Sequence, residues 1–294
     1  MAATSAGTVR SRTGPGAVIA ASAVGVLILS YCINAMDRTL FPLLLTDVRN
    51  AYGFGLPEAG LLSTIFTLGM AAAGLPTGYL MSRYRRKTVT QIGMLVFSAG
   101  TIITVLSVGF ADMLVYRALT GVGEAMQLTA LLAAFSSYFS RYRAAGVGSL
   151  NYAYAAGAMA GPALGAYLLE GYGTWRAPMI VFGVIGLVMM AVVAAAVPAW
   201  LSEADAARGE AKSTAGGAAA LLNFNTAVLT LLSILFGLAL YGYLGMYPTF
   251  LREALHFAPA DAGRVMTVYG LGVLVSAGSG LLGDRLPAHR VMAA

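Results

Sequence analysis

The chain has 294 residues, of which 59% are apolar and only 10% charged, and its mean hydropathy is +0.77. Soluble domains carry about 25% charged residues, so this composition cannot solvate a globular surface, and it excludes a soluble enzyme. A formal charge of +6 would point to nucleic acid in a soluble chain; here the charge follows topology, as shown below, and no nucleic-acid partner is expected.

Eight apolar segments follow one another, at 17–45, 58–81, 88–109, 112–138, 145–168, 177–199, 224–250 and 260–283. Each can cross about 30 Å of hydrocarbon at about 1.5 Å per helical residue, which predicts an all-α polytopic membrane protein. The first follows Arg10 and Arg12 and contains Ala21-Ser22-Ala23, faintly like a secretory leader. It is too long for one and is expected to be a retained helix. Within it, Asn34-Ala35-Met36-Asp37-Arg38 sets a carboxylate and a guanidinium at membrane depth. A charge there costs about 2.5–3.5 kcal/mol even on lenient scales, and such residues usually serve function. In the fourth segment Arg117 and Glu124 are seven apart, on one helix face about 10 Å from each other. Asn34 lies one turn before Arg38 and Gln127 one turn after Glu124. Both are candidate polar cavity residues.

Basic residues set the orientation. With the N-terminus inside, the inner connections hold 12 of the 18 Lys and Arg residues, among them Arg83, Arg85, Arg86 and Lys87, against three outside, Arg49, Arg176 and Arg252. That asymmetry predicts a cytoplasmic N-terminus in a bacterial-type inner membrane. The connection from Trp200 to Asn223 is polar and rich in small residues, which marks a boundary between two bundles. The expected division is a tail at 1–16, a six-helix bundle at 17–199, a central cytoplasmic loop at 200–223 and part of a second bundle at 224–294.

An internal repeat supports this division. Ala59-Gly60, Gly69, Gly78 and Arg83 return as Ala262-Gly263, Gly272, Gly280 and Arg285. Helices seven and eight thus read as copies of helices one and two. A full second copy would need four more helices after Ala294, so a chain truncated after the eighth helix is expected.

Three stretches together resemble the major facilitator superfamily of transporters. Gly78-Tyr79-Leu80-Met81-Ser82-Arg83-Tyr84-Arg85-Arg86-Lys87 is similar to that family's loop between helices two and three, and Asp284-Arg285 to its echo in the second half. Ser82 stands where the family has Asp, and Arg85 where it has Gly. A positive-inside loop is the plainer reading of the same residues. Gly148, Gly157, Gly161-Pro162 and Gly165 resemble the fifth-helix motif strongest in proton-coupled antiporters; small-residue helix packing with a proline kink explains the pattern equally. Arg117 to Ala125, with Asp37-Arg38 in helix one, is similar to the anion:cation symporter and Spinster-like branches.

The resemblance implies a first six-helix bundle plus two helices of a second, and a central cavity lined by helices one and four. It implies proton-coupled symport of a small organic anion by alternating access. The alternatives are a proton-coupled drug or metabolite antiporter, a Spinster-like lipid exporter, and an inactive truncated remnant. Arg38 and Arg117 are the expected anion-binding groups, since arginine stays charged and offers a planar fork. Asn34, Gln127 and Tyr241 would support them. Asp37 and Glu124 would take up or give off a proton as an anion leaves or occupies the neighbouring arginine. The bland alternative is two structural pairs, Asp37–Arg38 and Arg117–Glu124. Gly78, Ser82, Arg83, Arg86, Lys87, Gly157, Gly161, Pro162, Asp284 and Arg285 are expected to serve gating or packing. Asn151, Tyr152, Tyr154, Tyr243 and Tyr247 would either meet a ligand or pack and anchor.

No catalytic residues, metal or cofactor are expected, the driving force being a proton gradient. Cys32 is the one cysteine, and His256 and His289 lie outside the apolar runs. No phosphate-binding loop follows a strand. The expected partners are a small-molecule substrate and the bilayer, with no obligatory protein partner.

Overall fold

A computed structural model describes residues 15–198, 201 and 224–277, and among these there is no strand. Among the described residues nine α-helices carry the fold: α1 Pro15–Tyr52, α2 Leu56–Ala72, α3 Gly74–Arg83, α4 Arg86–Thr104, α5 Phe110–Tyr138, α6 Arg143–Tyr172, α7 Arg176–Ala196, α8 Phe224–Glu253 and α9 Pro259–Ala277. Five stretches, Val18–Tyr52, Leu56–Arg83, Phe110–Tyr138, Arg176–Ala196 and Ala227–Glu253, are long and apolar enough to cross a membrane. α4, α6 and α9 fall short of that measure and occupy the third, fifth and eighth of the apolar segments expected from sequence. The tail before Pro15, the stretch 202–223 and the echo motif Asp284-Arg285 lie outside the described residues.

Two spans differ from the sequence expectation. The second is interrupted at Ala73, where α2 gives way to α3. Pro76 has no N–H to return to the carbonyl of Ala72, and a helix bends where that bond is missing. The first runs on to Tyr52, seven residues past its apolar segment. Its added polar turn, Thr46 to Arg49, faces α8. Asp47 pairs with Arg252 and Arg49 with Glu253, so two ion pairs join α1 to α8. A second Arg252 nitrogen reaches Asp47 at 3.1 Å. The N-terminus of α9 is tied to α6 at the same end, where the Ala260 N–H donates to Glu170 at 3.0 Å. Towards the basic end, carrying Arg83 to Lys87, α8 is almost wholly exposed among the described residues from Phe224 to Leu240.

Glycine lets the helix backbones meet. A methyl group at Gly157 would strike the Cys32 carbonyl and lie 2.6 Å from the Ala35 methyl; at Gly161 it would sit 2.7 Å from the Met36 carbonyl. These contacts seat α6 on α1. On α5, a methyl at Gly121 would strike the Phe66 carbonyl of α2, and one at Gly123 would lie 2.7 Å from the Gly93 carbonyl of α4. Backbone contact of this kind supplies the attraction that water exclusion cannot give between helices in lipid. Pro162 is accommodated within α6.

Gly78 does not work this way. It is exposed, and nothing described lies within 4 Å of where its methyl would be. The same holds for Gly272 of the repeat, whereas Gly270 closes on Met159 of α6. Ala59 and Ala262, the first members of the two copies, are both fully buried.

The basic run also acts locally. Arg86 donates to the Ala133 carbonyl at 3.1 Å and to Ser137 at 2.7 Å, near the C-terminus of α5. Lys87 donates to the Ala194 and Val197 carbonyls, at 2.8 and 2.6 Å, at the C-terminus of α7. Cations at helix C-termini satisfy orphan carbonyls and oppose the negative end of the dipole. Among the described residues Ser82 bonds its own turn, at the Tyr79 carbonyl, and Arg83 lies over the Tyr79 ring. A Gly157→Val change should lower the melting temperature in detergent by well over the effect of Gly78→Ala, which should be neutral. Equal effects at the two sites would contradict the contact assignment.

Candidate functional site

Ser30, Asn34 and Arg38 recur every four residues on α1, so they form one stripe along the helix. Glu124 and Gln127 are three apart on α5 and share its face. The two stripes meet in the bundle interior. Arg38 Nε donates to Glu124 Oε2 at 2.8 Å, and its Nη2 to Asn34 Oδ1 at 3.2 Å. Asn34 Nδ2 donates to Gln127 Oε1 at 2.9 Å, and Gln127 Nε2 to Ser30 Oγ at 3.2 Å. Ser30 ends the run on the Leu27 carbonyl at 2.7 Å. Donors therefore point the same way from the guanidinium to a backbone oxygen, an order in which each bond polarises the next.

Asp37 leans from α1 toward α4 and still lies near Glu124 and Arg117, whose charges act on it. Its two oxygens lie 3.0 and 2.9 Å from the Thr101 hydroxyl of α4. Asp37 is 2% exposed, and Glu124, Asn34, Gln127 and Thr101 are fully buried. Adjacent residues on a helix diverge by about 100°, which is why neighbours Asp37 and Arg38 serve different partners. Neither structural pair expected from sequence forms. Glu124 pairs across helices with Arg38, and Asp37 takes a hydroxyl.

Arg117 is a third case. It is 2% exposed, so it does not sit at an interface with water. Its guanidinium carbon lies 4.1 Å from the centroid of the Phe41 ring and 4.9 Å from that of Phe66. Among the described residues it makes no ion pair, and its Nε has no hydrogen-bond partner. Glu124 keeps one free oxygen, Oε1, with no partner either.

Arg38 and Arg117 open on one cavity of about 30 Å³, which suits one or two water-sized groups. Its walls include the hydroxyl residues Thr39, Ser63, Thr67 and Tyr241, and the apolar Phe41, Pro42, Phe66, Leu244 and Met266. Leu244, Tyr241 and Met266 come from α8 and α9, so both halves of the chain contribute. Tyr154 lies beside the cluster with the Arg38 cation 5.6 Å from its ring centroid, while Asn151 and Tyr152 point outward. Tyr243 and Tyr247 stack on each other at 4.6 Å and do not line the cavity.

Sequence reasoning missed Thr101, Phe41, Phe66, Ser63 and Thr67. Thr101 left one trace, its place between Ser98 and Thr104 in a row of hydroxyls spaced three apart along an apolar span. The two phenylalanines left none, since rings in a greasy segment read as core. No cluster of His, Cys, Asp and Glu able to hold a metal occurs among the described residues.

Residues 27–294 match the sequence model of the Major Facilitator Superfamily. Protein spinster of Drosophila melanogaster is 37% identical over 106 residues, 36% of this chain and 18% of that protein. A triacylglyceride transporter of Mycolicibacterium hassiacum is 24% identical over 289 residues, 96% of this chain and 48% of that one. The probable anion transporter 6, chloroplastic, of Arabidopsis thaliana is 28% identical over 170 residues, 56% of this chain and 32% of that protein. The chain thus spans less than half the length of these relatives. The crystal structure of a bacterial homolog to the human lysosomal transporter Spinster, inward-facing and unoccupied, superposes with a TM-score of 0.71 at 18% identity, over 88% of this chain and 60% of that one. At that identity the likeness concerns the fold alone. The expected fold class holds, and with it the integral membrane character; the chain belongs to the Major Facilitator Superfamily.

Proposed function

We propose that this chain serves proton-coupled symport of an organic anion by alternating access, with its basic end and N-terminus in the cytoplasm of a bacterial-type inner membrane. The observation that carries the reading is charge balance in a buried site. Two guanidiniums and two carboxylates, Arg38, Arg117, Asp37 and Glu124, are each 8% exposed or less and neutralise one another as a set. An anion entering alone would leave an uncompensated charge at membrane depth, which is costly. An anion entering with one proton leaves the cluster neutral.

The geometry suggests how the two events are linked. A proton on Glu124 weakens its hold on Arg38 and frees that fork for the anion, beside Arg117. Release of the anion lets Arg38 return to Glu124 and expel the proton. Other titratable groups that act on Arg38 are Tyr31, Tyr154, Tyr241 and Tyr269. Alternating access is supported by the asymmetry of the two ends. Ion pairs close α1 on α8 at one end, and among the described residues α8 is exposed at the other. Rocking of the bundles about a site between them would exchange these arrangements.

A lipid carrying an anionic head group is the second reading. It draws on the apolar walls of the cavity and on the relative named as a triacylglyceride transporter. Both readings are tested by uptake into proteoliposomes, using the chain alone and the chain extended by four helices from a spinster-like relative. An inward proton gradient should drive accumulation of sugar acids or monocarboxylates. Transfer of labelled anionic lipid without uptake of any acid would favour the second reading instead. Glu124→Gln should abolish proton-driven accumulation and leave anion counterflow; survival of accumulation would remove Glu124 from the coupling role. Arg117→Ala should abolish both, since it removes the cation that the anion meets.

A further inference from the structure

We infer that Phe41 and Phe66 are positioning residues, whose rings hold Arg117 apart from the acid groups so that it remains available to an anion. This rests on the anion reading above for its purpose, although its physical core does not. Arg38 is committed to Glu124 and Asn34, and Asp37 to Thr101. Arg117 alone of the four has no such partner, although it is as buried as the rest. The acid groups whose charge reaches it are Asp37 and Glu124. Glu124 is on the same helix and holds an unpartnered oxygen. An arginine side chain left to itself would turn toward these two acids, Asp37 and Glu124.

The rings supply the competing attraction. A guanidinium over an aromatic face is held by the ring quadrupole, more strongly where water is absent. Arginine suits this contact because its charge is spread over a plane and weakly hydrated. The backbone explains why the rings are in place. Phe41 is three residues after Arg38 on α1, so it shares the face that looks toward α5. Phe66 is brought in by Gly121, one turn after Arg117, whose missing side chain lets α2 lie directly against α5. Each ring comes from a different helix, and both meet one cation. The arrangement divides the work of two arginines. Arg38 answers to the proton site, and Arg117 is kept free at the cavity.

Two measurements on the purified chain in detergent decide this. The first needs no ligand. Melting temperatures of wild type, Phe41→Leu/Phe66→Leu, Arg117→Met and the triple variant form a cycle. The leucines should cost clearly less stability when Arg117 is already methionine; additive costs would overturn the ring contact. The second uses labelled gluconate in equilibrium dialysis. The double leucine variant should bind about fivefold more weakly or worse, with Phe41→Tyr near wild type. Adding Glu124→Gln should raise the affinity of the leucine variant by a larger factor than it raises that of wild type, where it only frees Arg38, because one competing acid loses its charge. An equal or smaller factor in the leucine variant would overturn the positioning role. A wild type that binds no gluconate would count against the anion reading of the site, and the melting cycle would still decide the ring contact.

Discussion

The fold is organised around one buried bond, from Arg38 of α1 to Glu124 of α5. Neither charge could be placed at this depth alone. Removing one partner of such a pair costs about 3–5 kcal/mol, because the other is left uncompensated. The bond therefore fixes the register of the two helices, and the run through Asn34, Gln127 and Ser30 extends that register over two further turns. The helices can lie close enough because the surrounding contacts are made by glycine. Gly121 and Gly123 admit α2 and α4 to α5, and Gly157 and Gly161 admit α6 to α1. The small-residue stripes and the buried charges are thus one design. Close backbones bring polar groups within reach of each other, and the polar groups fix how the backbones align.

A buried pair is poor at stabilising a protein and good at switching it. Desolvation offsets most of what the attraction contributes, so a single proton or a single anion can tip the balance. The site has both kinds of cation, one paired and one held only by rings. At its edge α8 and α9 supply Tyr241, Leu244 and Met266, and α1 carries Asp47 and Arg49 two to three turns beyond Arg38. The helix that holds the site also holds the ion pairs joining α1 to α8. A change at the first is mechanically close to the second.

Much of this was legible in the sequence. Apolar runs placed the helices in order, since a membrane imposes a length that water does not, and five of the described stretches keep that length and apolarity. Helical spacing put Asn34 with Arg38 and Glu124 with Gln127, and the structure keeps both relations. It did not reveal which helix faces which at what height, so Glu124 read as a partner for Arg117 on its own helix, and its bond to Arg38 on another was not foreseen. Gly78 was legible as a motif and silent as a contact, because a loop pattern does not say whether a neighbour is near. Pro76 was visible, yet the residues around it were apolar enough to read as one uninterrupted helix. Thr101 and the two phenylalanines were ordinary residues until the fold gave them neighbours.

The central claim is that anion and proton meet in one neutral cluster through Glu124. Infrared difference spectroscopy on the reconstituted chain tests it without requiring turnover. At constant, mildly acidic pH, adding a bound organic acid should produce a carboxylic-acid carbonyl band that is missing in Glu124→Gln. A wild type that binds the acid without that band, or a variant that still shows it, would contradict the account.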